Sequence, residues 1–310
     1  MAKRISVINF KGGVGKTTLA FELAAGLARY HKPARVLAVD MDHQSSLSIL
    51  CLGATGWDSV VASGNVVDKV FRSFVAEGAT LPGREIIYQT ALKQNHYGNL
   101  HVVPASLQLD DIEIDLTATH RGNAIQSEWN KRTLMCRWLE QTGVDQDYDY
   151  IIFDCPPATK IVSQNAIAAS HGYVLPVVPE AVMERGAPHL AQMVRTGIDA
   201  KLNAIAGFGD PRPIFVSETK LVGVVITRIQ SSGGYSGYTD DHTQHLNSLQ
   251  RRWGADLLTP YIPYGTGVSQ TLSVGVPVYD WASTQNIGNR GIHRAYRELT
   301  EALKLRIDAL

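Results

Sequence analysis

Phe10-Lys11-Gly12-Gly13-Val14-Gly15-Lys16-Thr17-Thr18 lies close to the start of a 310-residue chain, and its reading decides the fold. The apolar run Ile5 to Phe10 predicts a buried strand. Thr17 to Arg29 predicts a helix, with Leu19, Leu23, Gly26 and Leu27 at helical spacing. The glycines therefore occupy a strand-to-helix turn. Gly12, Gly13 and Gly15 allow the backbone to curl so that successive amides point inward, and the helix N-terminus adds partial positive charge there. Such a turn cradles a triphosphate: Lys16 would meet the β and γ phosphates and Thr17 would ligate Mg2+, with Val14 and Thr18 completing the cradle. The strict pattern has glycine six residues before the lysine. This chain has Phe10 there and adds a second lysine, Lys11. Taken alone, Lys11 suits a solvated loop lysine as well as a phosphate ligand.

Outward from the loop, apolar strand-like runs recur at Val36 to Val39, Leu100 to Val103, Tyr150 to Phe153, Tyr173 to Val178 and Leu221 to Ile226, with helical stretches between most of them. That alternation predicts an α/β fold, a doubly wound, mostly parallel sheet with helices on both faces. Ligands on such sheets bind at the carboxyl ends of the strands. The irregular stretch from about 53 to 99 reads as an insertion on the rim of a single domain spanning 1–310. Gly207 to Pro213 and Ser231 to Tyr238 read as loops.

Composition narrows the function classes. Hydrophobic residues make up 45% of the chain, enough for a sizeable core, and the formal net charge is zero. With no general field to draw a polyanion, binding to nucleic acid or an acidic membrane would need a local patch. Three cysteines, Cys51, Cys136 and Cys155, form no metal spacing and read as reduced core thiols of a cytoplasmic protein. No apolar run reaches the roughly 18 residues that would span a bilayer, and the chain opens directly on a core strand, leaving no room for a targeting segment.

Carboxylates stand at two predicted strand tips. Asp40 and Asp42 follow Val36 to Val39, and Asp154 follows Phe153. Singly, each suits a turn cap. Beside the glycine loop they suit a metal-assisted phosphate site: Thr17 binds Mg2+ directly, Asp154 through water, and Asp40, also near the metal, polarises the attacking water. Hydrolysis of a γ phosphate asks mainly for such positioning and charge neutralisation.

Lys-Gly-Gly-Val-Gly-Lys-Thr-Thr, followed by Val-Leu-Ala-Val-Asp-Met-Asp-His-Gln and Tyr-Ile-Ile-Phe-Asp-Cys-Pro-Pro, resembles the deviant-Walker P-loop ATPases of the ParA/MinD family, specifically its ParA branch. Further matches at Val103 to Leu107, Gln164 to Ala166 and Ile262-Pro263 through Gly275 to Val278 extend the resemblance from residue 5 to about 300. It implies a slow, partner-stimulated Mg2+-dependent ATPase. In the ATP state, Lys11 would reach across a sandwich homodimer to the partner's phosphates, making Lys11 and Lys16 catalytic together with Asp40. It also places the adenine near Thr227, Arg228 and Pro263. ParA relatives bind DNA nonspecifically and segregate a plasmid or chromosome with a DNA-bound ParB-like partner, which would make this chain nucleoid-associated.

A DNA surface is less legible. The helix from about Asn289 to Leu310 carries Ile292, Tyr296, Leu299 and Leu303 on one stripe and Arg290, Arg294 and Arg297 on another, to which Arg251 and Arg252 would add. A solvated face paired with Glu298 and Glu301 reads the same stripe more simply. Many relatives have arginines after the Ile-Pro pair, where this chain has Tyr264-Gly265-Thr266-Gly267. No helix-turn-helix precedes the first strand, so sequence-specific operon control is not expected. Rival readings are a ParA-like ATPase that positions a protein cargo, a MinD-like membrane switch, a cluster-holding reductase using Cys136 or Cys155, and a carboxylate-phosphorylating ligase. The terminal helix looks too integral to the fold for the membrane switch, and no stable membrane association is expected.

Overall fold

A computed structural model of the chain places eight strands in one sheet, and describes residues 1–157, 160–206, 208, 215–232, 237–281 and 291–310. In chain order the strands are β1 (Lys3–Val7), β2 (Val36–Asp40), β3 (Tyr88–Gln89), β4 (Leu100–Val103), β5 (Tyr150–Asp154), β6 (Gly172–Val177), β7 (Lys220–Ile226) and β8 (Leu257–Leu258). Their order across the sheet is β3-β4-β2-β5-β1-β6-β7-β8. Every pair is parallel except β3 with β4. The expected doubly wound α/β sheet is therefore present. Its central strands are near-continuous apolar runs because helices cover both faces, and every residue of β2, β5 and β6 is buried.

The period of two sorts side chains onto those faces. Ile5, Val7, Val36, Ala38 and Ile152 face the layer formed by α1 (Lys16–Tyr30) and the helix Ile292–Asp308. Leu37, Val39, Ile151 and Phe153 face the other layer, which contains Trp129 and Trp138. The expected apolar stripe of the C-terminal helix, Ile292, Tyr296, Leu299 and Leu303, is buried in the first layer. The region expected as a rim insertion supplies the edge strand β3 and the helix Asp68–Val75, whose Val70, Phe71 and Phe74 join the second core.

Boundaries shift at functional ends. β1 stops at Val7 rather than Phe10, because Asn9 turns away to hold the loop. Its side-chain amide donates to Pro176 O at 2.7 Å and its side-chain oxygen accepts from Lys11 N at 2.9 Å. Most of the expected loop 207–213 and half of 231–238 lie outside the described residues. Among the described residues, no single helix is long and apolar enough to cross a membrane.

Close approach fixes how α1 meets the C-terminal helix. A Cβ on Gly26 would lie 2.7 Å from the Tyr279 hydroxyl and 2.8 Å from Thr300 Oγ1. The Tyr279 hydroxyl also donates to Glu22 O at 2.9 Å, and the buried Glu22 carboxylate accepts from Val278 N at 3.1 Å. Burial pushes the Glu22 carboxyl well above its ordinary range. Gly26→Ala gains up to about 1 kcal/mol of helix propensity but forces these buried groups apart, at a cost of about 1–3 kcal/mol. The expected outcome is a lower urea midpoint than the parent, read by circular dichroism.

Candidate functional site

The glycine loop is shaped by its own backbone and then locked from outside. Gly13 and Gly15 adopt φ values of 74° and 83°, a left-handed region that side chains disfavour. Two of the loop's carbonyls are taken by residues just beyond β7: Thr227 Oγ1 donates to Val14 O at 2.8 Å and Arg228 Nη1 to Gly13 O at 2.6 Å. With those carbonyls held outward, the amides of Gly12, Gly13, Val14 and Gly15 donate to no acceptor among the described residues. They remain available to an anion at the start of α1.

Lys16 reaches back over the loop, its Nζ donating to Lys11 O at 3.2 Å. Burial lowers its proton affinity, while Asp154 and Asp42 act to restore it. Lys11 pairs with Glu180, the residue that precedes the helix Ala181–Met193. Phe10, standing where the strict motif has glycine, lays its ring over Gly186 of that helix, where a Cβ would collide with the ring. The departures from the strict motif thus fasten the loop's first residues to the helix after β6.

The acids divide in a way the sequence did not indicate. Register sets Asp40 on β2 directly opposite Asp154 on β5. Both are fully buried. Asp40 Oδ2 accepts from Ser48 N at 2.8 Å and Ser48 Oγ at 2.6 Å, and its Oδ1 accepts from Asp42 N at 3.1 Å. Burial raises its pKa to about 7 against these hydrogen bonds. Asp40 therefore also anchors the helix Ser46–Leu52, from a position beside Asp154. Asp42, two residues on, lines the cleft. The only hint of this in the sequence is Ser48, a hydroxyl eight residues beyond Asp40 on a helix that needs an anchor.

Asp154 is the reverse of Asp40. Neither carboxylate oxygen has a hydrogen bond of good geometry, although the Thr17 hydroxyl lies close enough to lower its proton affinity. Burial and the neighbouring Asp40 raise that affinity well above the ordinary range. An unpartnered buried carboxylate beside a threonine hydroxyl and a lysine fits a divalent cation held by hard oxygens. Among the described residues no cluster of three His, Cys, Asp or Glu could hold a metal unaided, so such a cation would need oxygens from a bound ligand.

A cleft of ≈ 470 Å³ opens over the loop. Gly12, Gly13, Gly15, Lys16, Thr17 and Thr18 line it together with Thr227, Arg228 and Pro263, so the loop and the expected base-binding residues share a single cavity. Tyr264 lines the same cavity, with the Arg228 guanidinium 5.1 Å from its ring centre. Val14 is buried behind the loop.

Among the described residues, none of the basic residues expected to meet DNA lines this cleft. Arg290 lies outside the described residues. Arg294 pairs with Glu298 at 2.7 Å and Arg297 stacks 4.7 Å above Tyr30. Arg251 Nε donates to Asn247 O at 3.3 Å, and Arg252 borders a separate groove. The three thiols are buried, and burial pushes Cys136 up to about 12 and Cys51 and Cys155 higher still. Thiols so placed are unsuited to a cluster shared at a surface.

The division between Asp40 and Asp42 is testable through stability alone. Asp40→Ala strands the buried Ser48 N–H and hydroxyl and is expected to cost about 1–3 kcal/mol. Asp42→Ala strands only the Gln44 N–H, which donates to Asp42 Oδ1 at 3.0 Å beside the cleft, and should cost about 0.5–1.5 kcal/mol. Chemical denaturation of the two variants measures the difference.

Comparison with known proteins places this geometry. The AAA domain family (AAA_31) matches residues 2–205. The chain is 29% identical over 278 residues to the sporulation initiation inhibitor protein Soj of Bacillus subtilis, covering 90% of each protein. It is 27% identical over 308 residues to the chromosome-partitioning ATPase Soj of Thermus thermophilus, covering 98% of this chain and 96% of that one. Among solved structures, cobyrinic acid a,c-diamide synthase from Mycobacterium smegmatis with bound ATP analog and magnesium superposes with a TM-score of 0.67 at 22% identity, over 100% of this chain and 97% of that one. That likeness speaks for the fold. With the loop, the strand-tip acids and the sheet order in agreement, the chain belongs to the AAA domain family and is a ParA-type P-loop ATPase.

Proposed function

We propose that the chain is an ATP-dependent dimerising ATPase that binds DNA without sequence preference and, with a DNA-bound ParB-like partner, drives plasmid or chromosome partition. The cytoplasm, on the nucleoid, is the corresponding location. The observation that carries this reading is the shared cavity: free loop amides, Lys16 and Thr17 at one end, with the unpartnered Asp154 buried beside Thr17, and Thr227, Arg228, Pro263 and Tyr264 at the other. A triphosphate suits the first end and a purine the second. Arg228 and Tyr264 offer a cation and an aromatic face for base stacking.

Mg2+, when bound with the nucleotide, supplies charge neutralisation at the β and γ phosphates. Thr17 would hold it directly and Asp154 through water. Lys16 neutralises the phosphate oxygens, and the loop amides fix the chain of phosphates in place. Asp40, beside Asp154, would polarise the attacking water, and Asp42, which lines the cavity, is a second acid that positions it. Lys11 waits in its pair with Glu180, and in the dimer it would exchange that carboxylate for the partner's phosphates, so that loss of the γ phosphate loosens the dimer.

The relatives named for chromosome partitioning support this use of the site. The ligase reading has less to stand on, because the likeness to the diamide synthase, at 22% identity, carries the fold alone.

Light scattering of the parent with ATP and with ADP tests the switch. The parent should dimerise with ATP only, Lys16→Ala should lose nucleotide binding, and Lys11→Ala should bind ATP yet stay monomeric. Asp42→Ala should keep the ATP dimer and slow phosphate release by about 10²-fold or more. A parent that stays monomeric with ATP, or an Asp42→Ala variant hydrolysing at the parent's rate, overturns the corresponding part.

A further inference from the structure

The nucleotide cleft uses the carboxyl ends of the strands, and a second groove of ≈ 740 Å³ lies where β6 and β7 begin. It runs between the helix Ala181–Met193 with its continuation Val194–Asp199, the residues Glu218 to Leu221, and the end of the helix Asp240–Trp253. Four cations line it: Arg185, Arg195, Lys220 and Arg252. All four are exposed, and among the described residues none has a side-chain hydrogen bond or ion pair.

The carboxylates nearby do not answer them. Glu218 is the one acid lining the groove. Glu184 is held by His245 at 2.8 Å and Asp256 by Arg306 at 3.0 Å, while Asp199 is buried against Thr219. In a chain with 29 basic and 29 acidic residues, this is a local excess of positive charge that no ion pair among the described residues neutralises. By contrast, Arg294 and Arg297 on the C-terminal helix already have partners.

We propose that this groove is the surface that holds the DNA backbone, an inference that rests on the DNA-binding reading above. Arg185, His189, Gln192 and Arg195 recur along one face of the helical segment. At 1.5 Å per residue, Arg185 to Arg195 spans about 15 Å. That is the axial length of about four phosphates on one strand of a duplex. Lys220 and Arg252 close the groove from the opposite side. Arginine and lysine heads on a groove wall read phosphate charge and carry no base pattern, which gives binding without sequence preference. The groove does not touch the glycine loop, so ATP controls DNA binding through valency: a monomer offers one groove, and an ATP dimer offers two on one rigid body.

The test is a salt titration of random-sequence double-stranded DNA with the full chain, in ATP and in ADP. For the variant carrying Arg185→Ala, Arg195→Ala, Lys220→Ala and Arg252→Ala, affinity with ATP should fall at least about tenfold, and the slope of log affinity against log salt should become shallower by about 0.9 for each phosphate that the groove no longer neutralises. The same variant should still bind ATP and dimerise, which shows that it is folded. An Arg294→Ala, Arg297→Ala double variant should keep the parent's slope. An unchanged slope and affinity in the fourfold variant overturns the groove while leaving DNA binding itself intact. Displacement of DNA by polyglutamate at an equal charge concentration would also overturn it, by assigning the groove to acidic peptides. A parent that binds no DNA in either nucleotide state overturns the DNA-binding reading and the groove together.

Discussion

Two carboxylates meeting at neighbouring strand tips set the terms for the rest of the site. The parallel register of β2 and β5 leaves Asp40 and Asp154 side by side, out of contact with water. Like charges buried together cannot both stay ionised without compensation. The fold treats them differently. Asp40 is given a backbone and a hydroxyl donor from Ser48, which ties the first helix after β2 to the sheet. Asp154 is given no good hydrogen bond and is placed by Thr17 and Lys16. One acid is hydrogen-bonded into the fold, and the other is left with the unsatisfied charge that a cation and a phosphate chain would complete.

The glycine loop depends on the same economy of partners. Its two left-handed glycines make the curl sterically accessible, yet a curled loop with unpaired carbonyls would compete for its own amides. Thr227 and Arg228 remove that competition by occupying the Val14 and Gly13 carbonyls. The residues proposed to meet the base therefore also shape the cradle proposed for the phosphates. Phe10 and Lys11 are anchored on the opposite side by Gly186 and Glu180, both belonging to the helix that follows β6 or to its first flank. That helix also carries Arg185, and its continuation carries Arg195. The element that holds the loop's two unusual residues is thus the element along which the basic groove is laid.

The legible part of the molecule was the part governed by local rules. Apolar runs long enough for buried parallel strands, and glycines between a strand and a helix, carry their structure with them, so the sheet and the position of Lys16, Thr17 and Asp154 could be read directly. Asp40 and Asp42 could not be told apart, because both follow the same strand and only Ser48, folded back from the next helix, distinguishes them. Tyr264 reads in sequence as the loss of an arginine and in the fold borders the cleft. The arginines of the C-terminal helix read as a basic stripe, but Glu298 and Tyr30 already engage two of them.

By itself, the sequence determined that this chain builds a doubly wound sheet with a phosphate loop on its first crossover, since hydrophobic period and glycine placement are properties of adjacent residues. Only the tertiary structure decided which acid faces the cleft, which residues lock the loop, and which cations are left unpaired. Those outcomes depend on groups brought together from distant parts of the chain, as when Thr227 reaches Val14 and Arg252 joins Arg185, and a side chain's availability is fixed by the partners that packing supplies.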